Sequence, residues 1–192
     1  MKRFILASGS PRRREMIDLY REKYEMITSD VDETIPEGTP AGEAVVMLAR
    51  KKAEAVARSV CDPDAVILAA DTVVAIDGKI LGKPADDADA YDMLSTLRGR
   101  THVVYSGVCV ICGDKIRSGC EATEVTMGNF SDESLKKYIS MGECSDKAGG
   151  YAIQGRAGVF VERINGSYHN VVGLPIALVD KLLRDMGQDG LI

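Results

Sequence analysis

The start of the chain carries the sequence Ser8-Gly9-Ser10-Pro11-Arg12-Arg13-Arg14. A short apolar run ends at Ala7, a glycine opens a turn, and a helix begins. Ser10 suits an N-cap and Pro11 the first helical position. Backbone amides and the positive end of a helix then gather at one place, which is an anion site. Arginines there add bidentate donors for phosphate. The plainer alternative is a solvated basic first turn. It carries a cost, because cations at a helix N-terminus oppose the macrodipole, and a bound anion would remove that cost. The sequence is not a Walker A loop, since no G-x-x-x-x-G-K-[ST] occurs.

Two further charges interrupt apolar patterns. Lys52 falls within a helical stripe, four residues after Leu48 and four before Val56, whereas Lys51 faces elsewhere. A lysine at such a position either snorkels to the surface or lines a site as a phosphate ligand. Asp71 follows Val66-Ile67-Leu68-Ala69-Ala70 and precedes Thr72-Val73-Val74. A carboxylate there needs a partner, a metal or a raised pKa. A turn-capping aspartate, a metal ligand and a general base all fit the pattern. Glu33, in Val31-Asp32-Glu33, and Lys83, in Leu81-Gly82-Lys83-Pro84, are ordinary surface charges when read alone. Gln154, in Ile153-Gln154-Gly155, has an amide that can donate and accept, so it suits either a base edge or the surface.

Other chemistries find little support. The two histidines, His102 and His169, lie in no metal-ligand pattern. No G-x-S-x-G occurs, which removes the usual setting of a serine nucleophile. The five cysteines lack a disulfide spacing. Cys109 and Cys112 sit in a run that reads as a buried strand, where residues three apart face opposite sides, so both are expected to pack. Any metal must take carboxylate oxygens, which points to Mg²⁺ or Mn²⁺. A net charge of −5 disfavours a nucleic-acid backbone as partner. No run has the length of a signal-peptide core or a membrane span, so a cytoplasmic protein is expected.

The elements that must position these residues can be read from periodicity. The chain has 192 residues, enough for one domain or two lobes on one core. Arg3 to Ala7 reads as a strand, and Ser10 to about Tyr20 as a helix. A loop from Ser29 to Pro40 precedes a long helix from about Gly42 to Val60. Ala65 to Ile76 and Lys79 to Leu81 read as a hairpin about Asp77-Gly78. A helix from Ala85 to Leu97 follows, then strands at His102 to Ile111 and Ile116 to Met127, then a helix capped by Ser131. Asp146 to Gly158 is glycine-rich and irregular. Val159 to Ile164 and Tyr168 to Val172 read as strands joined by Asn165-Gly166, and a last helix follows Gly173-Leu174-Pro175. Without strict βαβ alternation, the expectation is a mixed sheet flanked by helices.

Taken together and in order, these segments resemble the Maf family of nucleotide pyrophosphatases. The stretches that carry the resemblance are Leu6 to Arg13, Val31-Asp32-Glu33, Leu48 to Ala53, Ala70 to Val74, Leu81 to Pro84, Asp146 to Gly155, Asn165 to Tyr168 and Val172 to Pro175. They span nearly the whole chain. Gly150 departs from the alanine frequent in the family, which loosens the loop before Gln154 but removes no functional group.

The resemblance implies an elongated α/β fold like that of the inosine triphosphate pyrophosphatases, with a single domain over residues 1–192 whose two lobes flank a central cleft. It also implies a homodimer. It places Ser8, Arg12, Arg13, Lys52 and Lys83 on the substrate, Asp71 as catalytic base, and Asp71 with Glu33 on a divalent metal. Arg12, Thr72 and Gln154 match the branch that prefers dTTP and UTP over 7-methyl-GTP. The implied reaction is hydrolysis of the α–β phosphoanhydride bond to a nucleoside monophosphate and pyrophosphate. Modified pyrimidines such as 5-methyl-UTP are compatible with the same residues. The rival reading is a nucleotide-binding regulator of cell division and septum formation without significant turnover, but a sensor has no need of a base at Asp71.

Overall fold

The computed structural model describes residues 2–192. Its seven strands are β1 (Phe4–Leu6), β2 (Glu25–Met26), β3 (Val66–Ile76), β4 (Lys79–Leu81), β5 (Thr101–Cys112), β6 (Lys115–Met127) and β7 (Val161–Asn165). The helices are α1 (Pro11–Asp18), α2 (Ala41–Val60), α3 (Asp87–Leu97), α4 (Asp132–Ser140), α5 (Tyr168–Val172) and α6 (Ile176–Asp185). The strands form one mixed sheet in the order β2-β1-β3-β5-β6-β7, with β4 added to β3. Among the described residues no helix is long and apolar enough to cross a membrane.

The chain forms two compact units. Among the described residues the first comprises 2–71, 106–121 and 173–192, and the second 72–105 and 122–172. In the first, β1 pairs in parallel with both β2 and β3, with Ile5 opposite Ile67. Alternation along the strands puts Ile5 and Ala7, Ile67 and Ala69, and Cys109 and Ile111 in one apolar cluster. Ala49, Ala53 and Val56 of α2 complete that cluster. The helix approaches closely because β5 carries Gly107, where a Cβ would fall 2.3 Å from the Val45 backbone. Cys109 is buried as expected, and burial pushes its thiol up to about 12, which leaves it a packing residue.

In the second unit, β4 folds back antiparallel on β3, with Val74 opposite Leu81. Asp77 and Gly78 of the connecting turn both take positive φ, as a type I′ turn requires. Leu94 and Leu97 of α3 and Leu135, Tyr138 and Ile139 of α4 share a core with Val125 and Met127 of β6. Asp86 and Ser131 cap α3 and α4 through their side chains.

Two local expectations are corrected. Tyr168 to Val172 is helical, not a strand. Ser167 Oγ accepts the Asn170 N–H at 3.2 Å, and the Ser167 carbonyl accepts the Val171 N–H at 3.3 Å. This capping outweighs the hairpin signal of Asn165-Gly166, and the Asn170 amide is drawn inward to the Val104 carbonyl and Thr123 Oγ1. Ser10 does occupy the N-cap of α1, but its side chain makes no capping bond. Instead, the Ser10 N–H donates to Ser8 Oγ at 3.2 Å. The strand Glu25–Met26 is too short and too exposed to leave a periodic signal.

His102 is buried on β5, its Nε2 paired with the Tyr151 hydroxyl at 2.7 Å. Burial lowers its pKa to about 4. An unfolded imidazole protonates near pH 6.5, so the group's contribution to stability is complete above that pH and is lost as pH falls toward 4. Between pH 7 and pH 5 this amounts to about 2 kcal/mol. Urea unfolding at both pH values should show this loss in the wild type and a smaller one in His102→Gln, which cannot titrate. Equal losses in the two proteins would refute the link.

Candidate active site

The geometry of the first unit follows from two periods meeting. Asp71 has the same parity on β3 as Ile67 and Ala69, both of which pack against α2. Lys52 stands between Ala49, Ala53 and Val56 on that helix. Its ammonium donates to Asp71 Oδ1 at 2.5 Å and lies 3.0 Å from Glu33 Oε2. The Lys52 and Asp71 side chains are 13% and 11% exposed, and Glu33 is 57% exposed. One cation therefore holds a buried and an accessible carboxylate. Pairing with carboxylates is neither of the two alternatives left open for Lys52, which were snorkelling and a phosphate ligand.

Glu33 reaches this place because its loop is tied down on both sides. The Asp32 side chain accepts the Thr34 N–H at 2.9 Å, and the Asp32 carbonyl accepts from Lys51 Nζ at 3.4 Å. Lys51 is a residue whose role the apolar pattern missed. The only available signal was its position beside Lys52 and the acidic loop that the helix has to meet.

The turn after β1 supplies the neighbouring cations. Ser8 is buried, and its Oγ accepts from the Ser10 N–H and from Arg13 Nη1 at 3.3 Å. Arg13 Nε donates to the Gly173 carbonyl at 2.8 Å, so the turn between α5 and α6 fixes the guanidinium. No sequence signal connects Arg13 with Gly173, 160 positions apart. Burial lowers the Arg13 pKa from its ordinary value, the Asp71 carboxylate opposes that shift, Arg12 adds to it and Glu33 opposes it. These influences place Arg12, Asp71 and Glu33 within electrostatic range of Arg13. The structure thus brings together Ser8, Arg12, Arg13, Glu33, Lys52 and Asp71.

Thr72, Lys83 and Gln154 belong to the second unit. Gly149 ties the loop before Lys83 to the strand that carries Thr72. Its N–H donates to the Gly82 carbonyl at 2.9 Å, one residue before Lys83. Its Cα packs on Val74, where a Cβ would lie 3.0 Å from Cγ2, and its φ of 69° is one that glycine adopts without strain. Lys83 and Gln154 are both exposed.

Asp71 and Glu33 are hard oxygen donors of the kind Mg²⁺ and Mn²⁺ accept. Among the described residues no group of three or more histidine, cysteine, aspartate or glutamate side chains is assembled for a metal. The pair nevertheless suits an ion that keeps waters and takes its remaining ligands from phosphate. Lys52 already shows that a cation is held between the two carboxylates.

A mixed α/β protein with guanidinium and ammonium groups beside a buried carboxylate in the middle of a strand has the means to hold a polyanion next to a base. Residues 3–186 match the family described as Maf-like protein, and the chain belongs to that family. A dTTP/UTP pyrophosphatase of Bacillus cytotoxicus is 45% identical over 188 residues, covering 98% of this chain and 96% of the relative. One from Bacillus cereus strain Q1 is 45% identical with the same coverage. Among solved structures, the Ham1 protein of Staphylococcus aureus is 18% identical with a TM-score of 0.48, covering 66% of this chain and 72% of that one.

Lys52→Met should cost about 3 kcal/mol in urea unfolding at pH 7, because it strands the buried Asp71 carboxylate. Adding Asp71→Asn should recover part of that loss, as expected for directly coupled groups. A Lys52→Met protein as stable as the wild type would show that the pair does not hold this part of the fold.

Proposed function

We propose that the chain is a nucleoside triphosphate pyrophosphatase that hydrolyses dTTP and UTP to the nucleoside monophosphate and pyrophosphate. The observation that carries this reading is the Lys52 ammonium held between Asp71 and Glu33, within electrostatic range of the Ser8–Arg13 turn. The dTTP/UTP pyrophosphatases that are 45% identical over nearly the full length support the nucleotide class. In this reading the chain is a single catalytic domain, and the protein works as a cytoplasmic homodimer.

Arg12, Arg13, Lys52 and Lys83 bind the triphosphate and offset its charge, with Ser8 holding the Arg13 fork in place. Lys52 exchanges a carboxylate contact for a phosphate oxygen, which frees Asp71 to act on water. Asp71 orients that water and takes its proton as the water oxygen bonds to the α-phosphorus. The bridging oxygen leaves with pyrophosphate, and the cations spread the charge of the leaving group. Asp71 and Glu33 are the residues that would hold Mg²⁺ or Mn²⁺, which when bound supplies further charge neutralisation on phosphate oxygens. Thr72 and Gln154 contact the base, and Arg12 contributes to the choice of nucleotide.

The test is incubation with a panel of nucleoside triphosphates and Mg²⁺ or Mn²⁺, followed by identification of the phosphate products. The expected products are pyrophosphate with dTMP or UMP. Orthophosphate with a diphosphate would mean attack at another phosphorus, and binding without turnover would favour the nucleotide-sensing regulator. Asp71→Asn should lower kcat by about 10²–10⁴-fold with a much smaller change in KM, as loss of a general base does. Near-normal kcat in that variant would remove Asp71 from the role.

A further inference from the structure

Gln154 stands in a turn within a stretch where Gly149, Gly150, Gly155 and Gly158 fall inside ten residues. Backbone this free costs much entropy to order. An exposed side chain keeps one position there only if the chain is fixed on both sides of it. On the N-terminal side the anchor is Tyr151, buried and hydrogen-bonded to His102. On the C-terminal side it is Glu143, a half-buried residue that the proposed chemistry does not use.

Glu143 Oε2 accepts the Arg156 N–H at 3.1 Å, two residues beyond Gln154. Its Oε1 accepts the Tyr138 hydroxyl at 3.3 Å, and Tyr138 is buried in the core beneath α4. The carboxylate also lies flat against Gly155. A Cβ built there would fall 2.2 Å from Oε1, so only glycine permits the approach. The carboxylate thus ties the backbone just after Gln154 to a residue of the core, through a charge-assisted bond to a main-chain amide.

We infer that Glu143 is a positioning residue for base recognition: by clamping Gly155 and Arg156 it sets where the Gln154 amide stands, and so which pyrimidine the enzyme prefers. This rests on the proposed reading that Gln154 contacts the base. A glutamine amide can donate to a 4-oxo group and accept from a ring N3–H, the pattern of thymine and uracil. Cytosine reverses that pattern, so a displaced amide loses discrimination against CTP.

The experiment measures kcat/KM for dTTP and CTP in the wild type, Gln154→Ala, Glu143→Ala, Glu143→Gln, Gly155→Ala and the Glu143→Ala/Gln154→Ala double variant. Gln154→Ala and Glu143→Ala should each lower the dTTP-to-CTP ratio about tenfold, the worth of one well-placed hydrogen bond. The double variant should be no worse than Gln154→Ala, because the two act through one contact. Glu143→Gln, which keeps an acceptor for the Arg156 N–H, should retain most of the ratio. Gly155→Ala displaces the carboxylate without removing its charge and should repeat the effect of Glu143→Ala, which also covers the case in which that variant does not fold. A wild-type ratio in Glu143→Ala or Gly155→Ala, alongside a shifted ratio in Gln154→Ala, would overturn the positioning role. A wild-type ratio in Gln154→Ala itself would instead remove base contact by Gln154, and the inference with it.

Discussion

A lysine ammonium and an aspartate carboxylate, each nearly nine-tenths buried, stabilise this fold only by standing against each other. Either one alone at that depth would carry an uncompensated charge costing several kcal/mol. The Lys52–Asp71 pair therefore constrains α2 and β3 to one register, with a polar step at the end of an otherwise apolar contact between Ile67, Ala69, Ala49 and Ala53. The same pair is the centre of the proposed chemistry. Asp71 stands against a cation that can pass to phosphate, and Glu33 remains at the accessible edge of the pair.

Around that pair the backbone works mainly through fixed amides and carbonyls. Arg13 is set by the Gly173 carbonyl and the Ser8 hydroxyl, and the Glu33 loop by Thr34 and Lys51. In the second unit the Gly149 amide holds the Lys83 loop through Gly82. Long side chains lose several rotamers on ordering. Tying them or their loops to main-chain groups meets that cost in the folded protein rather than at the moment a ligand binds. The glycines matter for the same reason. At Gly107 and Gly155 a side chain would occupy space that a helix backbone and a carboxylate already fill.

The sequence alone determined most of the elements, because their signals are local. Apolar runs of strand length marked β3 and β5, and a 3.6-residue stripe marked α2. Ser131, Asp77 and Gly78 marked an N-cap and a turn through their own chemistry. Lys52 and Asp71 were legible for the same reason, since a charge inside an apolar period contradicts its surroundings. The segment Tyr168 to Val172 misled because five residues of mixed polarity carry too little periodicity to outweigh one capping serine. Tertiary structure alone decided who pairs with whom. Lys52 could have snorkelled, and Asp71 could have capped a turn; only the packing of α2 on β3 put them 2.5 Å apart. Glu33 read alone as an ordinary surface charge, and Lys51 and Glu143 carried no sign of a role, because their partners lie in other elements or at bare backbone groups. A hydrogen bond to a distant amide leaves no mark on the residues next to it in sequence, and so it becomes visible only when the chain has folded.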